Sequence, residues 1–131
     1  MQLTPFLKRV LLLDAASCLG MAGLLIAGAG PLTALFGLDR PLLLGAGAAL
    51  VPIGLFILWV GVRKTAAPGL VYLIVAGNLL WVAESLLVIR GAETITGLGT
   101  AFVAAQAAAV ATLALLEAIG VRRARAIPAQ A

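Results

Sequence analysis

The chain has 131 residues, 63% of them hydrophobic and 11% charged, with a mean hydropathy of +1.18. A soluble domain averages about 45–50% apolar and about 25% charged residues, so this composition excludes an ordinary soluble core and predicts one integral membrane domain, 1–131. The net charge of +4 comes from basic residues gathered at the ends of apolar runs, which reads as membrane topology; no nucleic-acid partner is expected. Histidine is absent, which removes imidazole-ligated haem, most zinc sites and the usual proton shuttle, and no cofactor or metal is expected. A lone Cys18 forms no internal disulfide.

The first apolar run follows the charged head Lys8-Arg9 and extends from Val10 to about Gly30. A charged head before an apolar run is also the pattern of a signal peptide, with Ala27-Gly28-Ala29 as its cleavage site. This run carries Asp14 and three more apolar runs follow, so an uncleaved span, about 10–30, is expected. Ala15-Ala16-Ser17-Cys18 lacks the leucine of a lipoprotein box, so acylation is not expected. Pro31 to Arg40 is a linker in which Leu32, Leu35 and Phe36 fall on one face at helical spacing, the pattern of a short interfacial helix.

Pro41 suits the first turn of a second span, about 41–62, and Pro52 near its middle frees the Ala48 carbonyl and predicts a kink. A basic loop, Arg63 to Pro68, leads to the third span, about 69–89. The fourth, about 97–121, is rich in alanine, with Ala101, Ala105 and Ala109 in the small-x-x-x-small spacing that permits close helix approach. Pro128 to Ala131 is expected to fray. Lys8, Arg9, Arg63, Lys64, Arg122, Arg123 and Arg125 fall on one side, against Arg40 and Arg90 on the other, which predicts cytoplasmic termini. Trp59 and Tyr72 flank the basic loop as interface aromatics. The predicted fold is therefore an all-α, up-down-up-down bundle of four membrane helices.

Polar residues inside these spans are the candidate functional groups, because an ionisable side chain at a helix centre costs roughly 2.5–3.5 kcal/mol. Counting about 1.5 Å per residue from the basic ends places Asn78, Gln106 and Pro52 near the midplane. An amide cluster of Asn78 and Gln106, one of them capping the Ala48 carbonyl, is one expectation. Asp14 and Glu117 fall at similar depth toward the cytoplasmic side, and if they face each other, repulsion and desolvation leave one proton shared between them. Gln106 and Glu117 share a helical face, as do Asn78, Trp81 and Ser85, so a polar seam is predicted. Glu84 points about 120° away from Asn78, nearer the outer surface. The candidate proton or substrate site is thus Asp14, Glu117, Asn78, Gln106, Glu84, Ser85 and Trp81. There is no nucleophile motif, phosphate loop or metal-ligand spacing, and no enzyme is expected; the glycines of Gly45-Ala-Gly47 read as a close helix contact.

Pro31-x-x-x-Leu-Phe-Gly, Gly45-x-Gly with Pro52, Asn78-x-x-Trp81-x-x-x-Ser85, and Gln106 with Glu117-x-x-Gly120-x-Arg-Arg together resemble small four-helix inner-membrane proteins of proteobacteria, loosely the DoxX-like group. That resemblance implies a fold and a bacterial inner-membrane location and carries no activity. Asp14-Ala-Ala-Ser does not match the first-helix glutamate, with its aromatic surroundings, of the four-helix multidrug exporters. Three functions fit the residues. The first is an accessory subunit packing against lipid, itself or a membrane partner; the second is a homodimeric proton-coupled carrier of a small solute; the third is a lipid or quinone binder using Trp81 and the Pro52 kink.

Overall fold

The computed structural model describes residues 1–128. It is an all-α four-helix bundle, and four of its helices are long and apolar enough to cross a membrane. These are α1 (Pro5–Ala27), α3 (Arg40–Gly61), α4 (Pro68–Gly91) and α5 (Gly97–Ala126), with a short α2 (Ala29–Phe36) between the first two. Residues 129–131, where fraying was expected, lie outside the described residues.

The ends of the helices follow local chemistry. α1 begins earlier than its apolar run because Thr4 Oγ1 accepts the Leu7 N–H at 3.2 Å and Pro5 occupies the first turn. The lysine and arginine before Val10 are therefore already helical. At the other end of the chain α5 continues through Arg122, Arg123 and Arg125, cations that favour a helix C-terminus. Pro41 and Pro68 open α3 and α4 as first-turn prolines. Pro52 lies inside α3, which runs unbroken from Arg40 to Gly61.

The N-terminal segment, the α3–α4 loop and the end of α5 meet at one end of the bundle, the basic end. Leu3 N–H donates to the Lys64 carbonyl and Ala66 N–H to that of Met1, both at 3.0 Å, tying the N-terminus to the loop. At the far end, Thr96 N–H donates to the Phe36 carbonyl at 2.9 Å and Thr94 Oγ1 to that of Gly37 at 2.8 Å, so the α4–α5 turn is fastened to α2. Gly37 takes the left-handed conformation there, φ 66°, and a Cβ would strike the Thr94 carbonyl. Phe36 and Phe102 stack with centroids 4.5 Å apart. Phe36 and Leu32 thus turn inward while Leu35 is exposed, so the three-residue apolar face expected of this segment does not form.

α1 packs closely on α3 and α4 on α5; α1 and α5 touch less extensively, and α3 and α4 barely meet. The tight α1–α3 seam has a visible cause. Gly47, Gly54 and Gly61 recur every seven residues on α3, and a Cβ on each would approach α1 closely: Ile26 at 2.8 Å, Leu19 at 2.9 Å and Leu12 at 3.2 Å. A seven-residue repeat keeps one face toward a neighbouring helix, and glycine lets the backbones draw together without a hydrophobic driving force, which lipid does not supply. Gly45, by contrast, faces open space, so only Gly47 of that pair makes the predicted contact. Ala101, Ala105 and Ala109 are also exposed, and α5 buries Gly99, Val103 and Ala107 instead. Large side chains such as Leu73, Leu80, Leu87 and Leu115 cover the outside, facing the position of lipid.

Because the seam depends on glycine, Gly54→Leu should lower stability by about 1–3 kcal/mol, whereas Gly45→Leu should change it by less than about 0.5 kcal/mol. Denaturant unfolding of both variants in detergent micelles checks this pair.

Candidate functional site

Three helices meet in a buried polar triad. Asp14 (α1) and Glu117 (α5) are 1% and 0% exposed, lower than most of the apolar core, and Asn78 (α4) lies between them. Asn78 Nδ2 donates to Asp14 Oδ2 at 2.8 Å and to Glu117 Oε2 at 3.2 Å. One amide nitrogen has two hydrogens, so a single side chain serves both carboxyl groups. Sharing one donor, the two carboxyl groups lie side by side, an arrangement that two anions oppose. Glu117 Oε1 receives no hydrogen bond from any donor among the described residues. Cys18, one turn beyond Asp14, donates its Sγ–H to Asp14 Oδ1 at 3.7 Å and is buried there.

A second polar set lies farther toward α2. Trp81 Nε1 donates to Gln106 Oε1 at 2.9 Å, and Gln106 Nε2 donates to Ser85 Oγ at 2.9 Å and to the Val103 carbonyl at 2.9 Å. Ser85 in turn donates to the Trp81 carbonyl at 2.8 Å. Both amides of the expected cluster are therefore committed elsewhere. Asn78 holds the acids, Gln106 joins α5 to α4, they do not bond each other, and neither donates to the Ala48 carbonyl.

The seam predicted by helical spacing is present in two separate parts, the triad and the Trp81–Gln106–Ser85 set. Glu84 belongs to neither: it is exposed and has no hydrogen-bond partner in the described structure. Counting along the chain predicts equal depth for Asp14 and Glu117 and leaves open whether they face each other; it does not foresee the amide between them, because spacing along one helix says nothing about rotation relative to another.

Between the polar sets lies a cavity of about 900 Å³, lined by all four long helices. Asp14, Ser17, Cys18, Asn78, Trp81 and Gln106 supply its polar side chains, and residues such as Leu50, Ile53, Phe56 and Leu113 supply an apolar wall. The volume is in the range of small-molecule sites, roughly 300–1,000 Å³. The cavity is closed toward the basic end. Every large side chain with almost no exposure belongs to that half: Leu7, Leu11, Ile57, Val60, Val71 and Val121, with Asp14 and Glu117. No group of three or more Cys, Asp or Glu with metal-holding geometry occurs among the described residues.

No protein-family model, curated protein or solved structure matches this chain.

Replacing Asn78 by Leu leaves two buried carboxyl groups without their common donor and should cost about 1–3 kcal/mol of stability. In a double-mutant cycle with Asp14→Leu the losses should be less than additive, with a coupling of about 0.6–2 kcal/mol. Unfolding of the three variants and the parent in one detergent measures it.

Proposed function

We propose that this chain is a proton-coupled carrier of a small, largely apolar solute bearing a positive charge, with the Asp14–Glu117 pair exchanging one proton for one cation. The observation that carries this reading is the uncompensated acid pair. Lys and Arg occur only near helix ends and in loops, so Asp14 and Glu117 have no cation inside the bundle, and Asp14 borders a cavity large enough for an organic ion. A cation in that cavity would replace the proton between the carboxyl groups. Cost is the physical reason for the coupling: inside a low-dielectric bundle the pair does not carry two negative charges without a partner. Closure at the basic end and openness above fit one of the two states an alternating carrier visits.

The setting we propose is a bacterial inner membrane with the basic end in the cytoplasm. Seven of the nine Lys and Arg residues favour that orientation, and the likeness of the polar and proline positions to small proteobacterial four-helix proteins favours the location. A second reading, an accessory subunit that packs on itself or a partner, draws support from a different observation. The exposed face of α5 carries Ala101, Ala104, Ala105, Ala108 and Ala109, small residues that no other helix of this chain covers.

Tetraphenylphosphonium, an apolar monocation, is a suitable probe. Its binding to the purified protein in nanodiscs should weaken as pH falls, because proton and cation compete for the same acid pair, and acid release should accompany its binding. The Asp14→Asn/Glu117→Gln variant should lose both the pH dependence and the proton release while unfolding normally. A variant that binds the probe with unaltered pH dependence removes the carrier and leaves the packing role.

A further inference from the structure

A second cavity, of about 400 Å³, lies toward the far end between the first half of α3 and the last half of α4. Pro41, Gly45, Ala46 and Ala49 form one side, and Glu84, Ser85 and Val88 the other. It exists because α3 and α4 barely meet, while the glycine seam draws α3 toward α1 instead. Met21, Trp81, Phe102 and Gln106 line this cavity and the larger one alike, so they form the wall between the two. The polar members of that wall are bonded to each other at 2.9 Å, and the glutamine is held a second time by Ser85.

Among the described residues, Glu84 is the only ionisable one bordering the outer cavity. It lies six residues before Arg90, so about 9 Å of helix separates it from the far end of α4. An acid at that depth, exposed and without a partner, raises the local concentration of cations and repels anions. The inner cavity, sealed at the basic end by Leu7, Leu11, Val71 and Val121, is open sideways past the exposed Ser17, Ile53, Leu73 and Ala105, where lipid would lie; its boundary with the outer cavity is the Trp81–Gln106 contact. The two polar sets of the bundle thus differ in kind. The triad contains two ionisable groups, whereas the Trp81–Gln106–Ser85 set contains none, breaks without stranding an ion and leaves each group able to bond water.

We propose that the outer cavity is a waiting station for the same monocationic solute, selected by Glu84, and that the Trp81–Gln106–Ser85 set is the partition a solute crosses to reach Asp14. The proposal rests on the carrier reading for its solute, yet it is tested through access rather than transport.

Gly45 borders the outer cavity and Gly77 the inner one, and a Cβ at either meets open space, so each accepts a cysteine. In a Cys18→Ser background in nanodiscs, the cationic reagent trimethylammonioethyl methanethiosulfonate should label Gly45→Cys rapidly and Gly77→Cys slowly. Adding Gln106→Leu, or separately Trp81→Ala, should speed labelling at 77 by roughly tenfold or more and leave that at 45 unchanged. The ratio of cationic to anionic (sulfonatoethyl) labelling at 45 should exceed one and fall several-fold with Glu84→Gln. Equal rates at 77 with and without the partition overturn the gate, and a charge ratio indifferent to Glu84→Gln overturns the station. Labelling at 45 doubles as the control for folding in the Gln106→Leu and Trp81→Ala variants. Neither result touches the acid pair, so failure here is distinguishable from failure of the amide variant to alter probe binding.

Discussion

The hydrogen bonds from Asn78 to Asp14 and Glu117 are the constraint around which the bundle is arranged. Two carboxyl groups with almost no exposure have no basic neighbour, and in lipid an unsatisfied acid has nowhere to turn for water. The amide of α4 reaches between the acids of α1 and α5 and so joins three of the four long helices at one point. α1 and α4 have no backbone proximity of their own, and this side-chain bridge spans the gap between them. The tight layer of Leu7, Leu11, Val71 and Val121 sits on the basic side of that bridge, keeping water from reaching it.

Packing on either side of the triad is unequal, and the inequality comes from where the small residues fall. On α3 the glycines at 47, 54 and 61 follow a seven-residue period that matches the α1 surface, so those two helices close together over their whole length. α5 carries comparably small residues at 101, 105 and 109, but they are exposed, 105 and 109 bordering the larger cavity instead of closing on a neighbouring helix. The far half of the bundle consequently opens into two cavities divided by the Trp81–Gln106 contact. A closed basic half and a divided, open far half make the bundle unequal at its two ends.

Polar residues within apolar runs were legible because they are expensive there, and their depth could be counted along each helix from the basic ends. That arithmetic brought Asp14 level with Glu117 and put Asn78, Trp81 and Ser85 on one face. It misassigned Asn78 and Gln106 to each other because two residues at equal depth still differ in helix rotation. Gln106 turns to Trp81 and Ser85 on α4, whereas Asn78 turns to the acids. The same gap explains why Gly45 and Gly47 read alike in the chain yet only Gly47 meets α1.

Hydropathy, proline placement and the distribution of Lys and Arg by themselves determined the number of spans, their alternating direction and the end at which both termini lie. Each of those features depends on the exchange of water for lipid along one axis, and residue type records that exchange directly. Which face of each helix turns inward was decided only in the tertiary structure. Leucine is as well accommodated by lipid as by protein, so apolar periodicity does not mark the interior of a membrane bundle. The seven-residue stripe of Gly, Ala and polar residues does mark it, and its partners are chosen by contact across helices far apart in the chain. The bridge by Asn78, the two cavities and the partition between them are all products of that choice.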